Sequence, residues 1–483
     1  MPDLAYSAPV AAGPLDARLS LPGSKSLTNR ELVLAALADG PSVLRRPLRA
    51  RDTELMAEAL RALGAGVEDV DGGGEFGPDW RVEPLVLGPS TRLRLAQGPA
   101  PRTPGPTPTP RTSGPAPVPR TPGPMPDSGS LSERSESKGA ATLDVGLAGT
   151  VMRFLPPVAA LLEADTVFDG DESARRRPMS TMTNAIRALG VEVDGDSLPF
   201  TVHGTGTGAV RGGELTIDAS ASSQFVSGLL LAAPRFAEGL VLRHEGERLP
   251  SMPHIEMTIA CLAARGVEVT SPDEGVWIVP PQPIAARDTA IEPDLSNAAP
   301  FLAAALVAGG RVAIEGWPEQ TTQVGAHLPR LFEAFGARTR LADGVLTVDG
   351  DAGVRGGRAL DAVDLDLGEA GELAPTLVAL AALAAGPSRF TGIGHLRGHE
   401  TDRLAALVAD LRAVGAGAEE LPDGILVTPG PLHGGAWGAY EDHRMATSGA
   451  LIGLTVPGVE IDDIGTTAKT LPEFRTLWER MLA

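Results

Sequence analysis

Apolar positions recur along this chain in two patterns, and the patterns alternate. One is a stretch apolar on nearly every face, with copies starting near Ser26, Gly149, Ser222, Ser296, Gly371 and Asp442 and running through cores such as Glu31–Ala38 and Phe301–Ala308. A helix of that kind has to be buried. The other is an amphipathic helix that stops at a glycine: Ala59-Leu-Arg-Ala-Leu-Gly64, Ala185-Ile-Arg-Ala-Leu-Gly190, Cys261-Leu-Ala-Ala-Arg-Gly266, Leu331-Phe-Glu-Ala-Phe-Gly336 and Asp410-Leu-Arg-Ala-Val-Gly415. Each glycine is a C-cap, and a β-rich run such as Val191-Glu-Val follows. Short strands also follow several buried helices, among them Ser42–Leu44, Thr166–Phe168, Arg311–Glu315 and Val459–Ile461. The predicted unit is strand–helix–strand–helix with extra strands.

The spacing of the cap glycines carries the domain argument. They lie 126, 76, 70 and 79 residues apart. The long first interval shrinks to the others once a segment of roughly fifty residues is set aside, so that segment interrupts one unit. A period of about 75 residues exceeds that of ordinary solenoids. Six such units therefore predict an α/β chain of two globular halves, three units in each.

The interrupting segment, from Gly98 to Gly139, has eleven prolines between residues 101 and 126 and almost nothing apolar. Such a composition cannot offset its ordering entropy, which predicts a disordered Pro-rich insertion, placed at 89–139. Its charge, counted from Arg92 to Lys138, is about +4. The whole chain of 483 residues has 41 basic and 61 acidic side chains, a net −20, which argues against a general nucleic-acid binder. Its one cysteine, Cys261, leaves no intrachain disulfide and no cysteine-based metal cluster. No apolar run reaches the length of a membrane span, and the first twenty residues lack the pattern of a signal or transit peptide. A cytoplasmic setting is expected.

Against that acidic background, cations gather where helices begin. The starts of the buried helices read Gly23-Ser-Lys-Ser-Leu-Thr-Asn-Arg30, Ala148-Gly-Thr-Val-Met-Arg153, Ser222-Ser-Gln224, Ser296-Asn297, Glu372 and Asp442-His-Arg444. The amphipathic helices begin near Arg175-Arg-Arg-Pro178, Ser251-Met-Pro-His254, His399-Glu-Thr-Asp-Arg403 and Lys469. Free N–H groups and the helix dipole make these ends anion sites, and serines there also serve as caps. Lysine and arginine oppose the dipole. Lys25, Arg30, Arg153, Arg177, Arg403, Arg444 and Lys469 therefore suggest one shared ligand with several anionic groups. Glu372 and Glu400 lie among them, where positive surroundings keep a carboxylate ionised and ready to exchange a proton.

Other motifs fail. Gly23-Ser-Lys-Ser lacks the pattern of a P-loop, and Gly204-Thr-Gly-Thr-Gly-Ala leads to the strand-like Glu214–Ile217 instead of a helix. His395, His399 and Glu400 have a spacing that could ligate a metal, which the adjoining Gly398, Arg397 and Arg403 disfavour.

The phrases LPGSKSLTNR (21–30), LAGTVMR (147–153), RRRP (175–178), DASASSQF (218–225), LPSMPHI (249–255), LRGHETDRL (396–404), DHRM (442–445) and TAKTLPEF (467–474), in this order, resemble the 5-enolpyruvylshikimate-3-phosphate synthase family, in an actinobacterial-like branch. The resemblance covers the chain outside the insertion. It implies a two-domain fold of six βαβαββ repeats, with 21–291 as one domain and 1–20 plus 292–483 as the other. It implies transfer of the enolpyruvyl group of phosphoenolpyruvate to the 5-hydroxyl of shikimate 3-phosphate through a tetrahedral intermediate, without metal or organic cofactor, by a monomer. Phosphoenolpyruvate is then expected at Lys25, Gly149, Arg177, Gln224, Arg403, Arg444 and Lys469. Shikimate 3-phosphate is expected at Lys25, Ser26, Arg30, Ser222, Ser223, Gln224, Ser251, Glu372 and His399. Glu372 is the implied base at the 5-hydroxyl, and Glu400, with Lys25, the implied proton donor to the enol methylene.

Many members carry Asn at 147, Asp at 372, Lys at 399, Asn at 395 and Tyr at 254, where this chain has Leu147, Glu372, His399, His395 and His254. A histidine in place of lysine at 399 predicts a phosphate contact that weakens as pH rises above about 6.5. Two other readings stand beside this one. The fold relative that uses UDP-N-acetylglucosamine relies on a mobile-loop cysteine, whereas Cys261 reads as a core position. A non-catalytic anion-binding scaffold would have no use for Lys25, Glu372, Glu400 and Arg403 together.

Overall fold

A computed structural model describes residues 5–72, 74–87, 141–246 and 249–483. The expected insertion at 89–139 lies outside the described residues. Buried apolar side chains form two clusters, one running from Leu32 to Ile284 and the other joining Tyr6–Leu21 to Leu295–Met481. These are the cores of two lobes.

Each lobe alternates a buried helix with a half-exposed one. In the first lobe these are α1 (Lys25–Ala36) and α2 (Arg51–Ala62), α3 (Gly149–Ala160) and α4 (Ser180–Ala188), α5 (Gln224–Ala232) and α6 (Met252–Ala264). In the second they are α7 (Ala298–Ala308) and α8 (Leu328–Ala334), α9 (Ala374–Ala381) and α10 (Arg403–Ala413), α11 (His443–Gly453) and α12 (Phe474–Leu482). Every residue of α7 and α9 is buried, as helices without a polar face require. The cap glycines take the expected left-handed backbone, with φ between 77° and 104° at Gly64, Gly190, Gly266, Gly336 and Gly415.

The described strands form six sheets of three or four strands. All six share one plan. Each has a parallel pair and continues antiparallel, as where Ala141–Asp144 pairs parallel with Asp165–Asp169, which pairs antiparallel with Phe200–His203. In four of the sheets the parallel pair is joined by a crossover through one buried helix; in the other two its strands lie more than 240 residues apart in the chain. The chain passes between the lobes twice, at Pro22–Ser24 and Glu292–Asp294. There the two passages hydrogen-bond to each other, Ser24 N to Glu292 O at 2.8 Å and Asp294 N to Pro22 O at 2.9 Å. Among the described residues no helix is long and apolar enough to cross a membrane.

Candidate active site

The starts of α1, α3 and α5 in one lobe face Glu372 and the starts of α10 and α11 in the other. Between them is a polar cavity of about 50 Å³. Lys25, Gly149, Arg153, Arg177, Ser222 and Gln224 line it from the first lobe; Glu372, His399, Glu400, Arg403, His443 and Arg444 line it from the second. The convergence expected from the sequence is met at these residues.

Arg403, the first residue of α10, is buried and donates to both oxygens of Asp442 at 2.7 and 3.2 Å and to Glu400 at 3.1 Å. Lys469 donates to the other oxygen of Glu400. Burial works to raise the Glu400 carboxyl, but Lys469 and Arg403 outweigh it and hold it well below the usual range. Glu372 accepts from Arg444 at 3.0 Å and lies 3.5 Å from the His254 imidazole. Burial opposes its ionisation, yet Arg444, His254 and Lys25 pull its pKa down to about 2. Both carboxylates are thus held in the ionised form.

The cations are less completely paired. Arg403 Nη1, Arg177 Nε and Arg153 Nε are buried with no hydrogen-bond partner. Buried guanidinium donors left this way are costly unless an anion meets them. Gly149 allows the crowding: a Cβ there would stand 2.8 Å from Arg153 Nη1, 3.1 Å from Gln224 Oε1 and 3.2 Å from Arg177 Nη1.

Several predicted residues sit elsewhere. Arg30 is in the second turn of α1, fully buried, and donates to Thr258 Oγ1 (2.8 Å), Ser26 O (3.0 Å) and His254 O (2.8 Å) within the first lobe. It packs over Phe154 and does not line the cavity. Ser223 is buried at the N-cap of α5 and also lies off the lining, as does Ser26. Ser251, with φ of 55°, donates its N–H to Gly368 O of the other lobe at 3.3 Å.

Two expectations need correction. Lys469 does not begin a helix; it ends the 3-10 turn Ile464–Lys469, where carbonyls at a C-terminus favour a cation. It lines a wider cleft of about 430 Å³ with Arg51, Arg176, Glu441 and Asp463, and through Glu400 it joins that cleft to the inner cavity. The second correction concerns His399. Burial, helped by Arg403 and Arg177, lowers its pKa below the free value, so any loss of its charge falls at lower pH than 6.5. His254 and His395 are likewise pushed down to about 4 by burial and neighbouring charge.

Two aspartates at the site, Asp52 and Asp294, have no mark in the sequence, and a third, Asp442, reads there only as part of a helix start. Asp52 lies 3.6 Å from Lys25 Nζ. Asp294 accepts the Lys25 N–H at 3.0 Å and the Ser296 hydroxyl at 2.7 Å, tying the start of α1 to that of α7. Asp442 holds Arg403 and caps α11 through Arg444 N at 2.9 Å. Only Asp442 had a readable signal, an N-cap residue ahead of a buried helix. Cys261 is buried in α6 beside Glu31, and burial pushes its thiol well up, away from nucleophilic use. Among the described residues no group of three or more His, Cys, Asp or Glu is placed to hold a metal ion.

This fold is that of the enolpyruvyl transferases. The chain superposes on EPSP synthase from Acinetobacter baumannii with a TM-score of 0.71 at 22% identity, covering 99% of this chain and 98% of that one. It superposes on the enolpyruvyl transferase NikO from Streptomyces tendae with a TM-score of 0.68 at 16% identity and the same coverage. Sequence similarity narrows the class. The family model described as EPSP synthase (3-phosphoshikimate 1-carboxyvinyltransferase) matches residues 10–84 and 127–478. A 3-phosphoshikimate 1-carboxyvinyltransferase from Kocuria rhizophila is 49% identical over 482 residues, 99% of this chain and 96% of that protein. The chain belongs to the EPSP synthase family.

Proposed function

We propose that the interlobe cavity is where this chain joins phosphoenolpyruvate to shikimate 3-phosphate, releasing phosphate in the step that leads towards chorismate and the aromatic amino acids. The observation that carries the site assignment is the set of buried, unpartnered guanidinium nitrogens on Arg403, Arg177 and Arg153 around one cavity. Guanidinium forks suit a carboxylate and a phosphate held side by side. Phosphoenolpyruvate is assigned to Lys25, Gly149, Arg177, Gln224, Arg403, Arg444 and Lys469. Shikimate 3-phosphate is assigned to Lys25, Ser222, Gln224, Glu372 and His399 at the cavity, and to Ser26, Arg30, Ser223 and Ser251, which lie off its lining and reach the ligand once the lobes part.

A cavity of about 50 Å³ has room for a few waters and not for two metabolites. Entry of two metabolites therefore requires the pairs Arg444–Glu372 and Lys469–Glu400 to part. When Arg444 turns to the incoming anion, Glu372 loses the neighbour that chiefly lowered its pKa, and its basicity rises. The same exchange at Lys469 and Arg403 lets Glu400 take a proton. Glu372 then accepts the 5-hydroxyl proton as that oxygen bonds to C2 of phosphoenolpyruvate, and Glu400, with Lys25 from the other lobe, gives a proton to C3. Elimination removes a proton from the new methyl group and expels phosphate, re-forming the double bond. All these residues come from one chain, which suits a monomer working in the cytoplasm.

The test is phosphate release by the purified protein with phosphoenolpyruvate. Shikimate 3-phosphate should support it and UDP-N-acetylglucosamine should not. The reverse preference, or no release with either, overturns the reading.

A further inference from the structure

Behind Arg403 the backbone takes an improbable path. Tyr440 and Glu441, consecutive and neither of them glycine, both lie in the left-handed region at φ of 54° and 56°. That region is sparsely populated by residues with a Cβ, and a pair persists only where the surroundings force it. The next residue is Asp442, which holds Arg403.

The surroundings that force the turn can be named. Tyr440 Oη donates to Asp410 Oδ1 at 3.0 Å, and Gly438 N donates to the same oxygen at 3.0 Å. Asp462 accepts the Ala439 N–H at 2.7 Å, and Asp442 N donates to Ala439 O at 2.8 Å. A Cβ at position 438 would stand 2.5 Å from the Tyr440 ring, so this glycine exists to let the ring lie on the backbone. Asp410 and Arg403 both sit on α10, seven residues apart and so on one face of the helix. Helix α10 therefore grips the 438–442 turn at two levels: through Asp410–Tyr440 behind the site and through Arg403–Asp442 at its wall.

For Asp410 this arrangement works against local stability. Its second oxygen, Oδ2, is buried without a hydrogen-bond partner. Burial, with Asp462 adding to it, pushes its carboxyl up to about 7 against the pull of the Gly438 and Tyr440 bonds. A buried carboxylate kept under those conditions calls for a role beyond packing.

We propose that Tyr440 and Asp410 are a positioning pair for the reaction, holding the strained turn that presents Asp442 to Arg403 and so aims the Arg403 guanidinium at the phosphoenolpyruvate side of the cavity. This rests on the substrate assignment above.

Tyr440→Phe should lower kcat/KM for phosphoenolpyruvate roughly tenfold, the order expected of a small misplacement behind a site, and leave the KM for shikimate 3-phosphate within about threefold. Asp410→Ala should match it, and the double variant should lose no more than either single one, because one tie can be broken only once. Asp410→Asn keeps an accepting oxygen and should recover most of the loss. Amide exchange reads the tie without turnover: at Gly438 and Asp442 it should quicken roughly tenfold in Tyr440→Phe. Wild-type kinetics and exchange in that variant, equal losses for both substrates, or additive losses in the double variant would each overturn the proposal. If the unaltered enzyme released no phosphate, the assigned reaction would fall, and exchange would still judge the tie: faster supports it, unchanged refutes it.

Discussion

Glu400 is the residue on which most of the site's charge is balanced. Two cations, Lys469 and Arg403, hold one oxygen each, and His399 stands 3.7 Å away. Replacing it with glutamine keeps the shape and removes the proton carrier. Glu400→Gln is expected to lower kcat by about 10²-fold or more while shikimate 3-phosphate still binds, as calorimetry would report. Lost binding, or full turnover, would remove Glu400 from its role. His399 supports a prediction in pH. Its folded pKa is lowered, chiefly by burial, so it is neutral at pH 7 and gains charge only as pH falls. His399→Lys places a standing cation there, and should tighten shikimate 3-phosphate roughly fivefold at pH 7.5 while flattening the dependence between pH 5 and 7. An unchanged Kd across that range would show that residue 399 does not reach the phosphate.

At the scale of elements, the site is a meeting of helix starts. Helix α3 begins at Gly149 with no side-chain cap, and its first residue is the one the neighbouring guanidinium groups crowd. Gly149→Ala should therefore push Arg153, Arg177 and Gln224 apart. The expected result is a rise in KM for phosphoenolpyruvate of roughly tenfold with that for shikimate 3-phosphate little changed, measured by steady-state kinetics. Equal effects on both substrates would mean that the crowding is general. Helices α10 and α11 are better finished at this end: Asp402 accepts from Leu404 N and Ala405 N at 3.1 Å, and Asp442 from Arg444 N. Aspartate caps, which suit the dipole, sit directly beside arginines, which do not. The acid anchors the helix, and Asp442 in addition fixes Arg403 of the neighbouring helix at the cavity.

For the molecule as a whole, two strands of chain join the lobes, while further contacts cross the cleft. Ser173 donates to Glu441 at 3.1 Å, and Arg480 pairs with Glu75 at 2.9 Å. With so small a cavity between them, the lobes have to part for substrate and return over it. Small-angle scattering should show a smaller radius of gyration with both substrates present than with neither, and identical profiles would count against such a motion. The proline-rich segment is a separate question of scale. In sequence it falls between Asp79–Glu83 and Ala141–Asp144 of the first lobe, and no residue assigned to the cavity belongs to it. Deleting 92–137 should leave kcat within about threefold, and a collapse of activity would give the segment a structural duty.

Much of this protein is written in its residue pattern. Apolar stripes, cap glycines and their spacing disclose two kinds of helix and a repeated unit, because burial and backbone stereochemistry act over a few neighbouring residues. The cations destined for the cavity were visible as charges in places where a helix alone disfavours them. Depth and partnership were not visible. Arg30 and Arg153 look alike in sequence, yet one is saturated by Thr258, Ser26 and His254 while the other keeps a buried nitrogen without a partner. Asp52 and Asp294 reached the site through folding, from positions with no local signature. Short-range preferences decide which segments become helices and strands. Which charges are left unpaired depends on distances between residues hundreds of positions apart, and only the packing of the two lobes sets those distances.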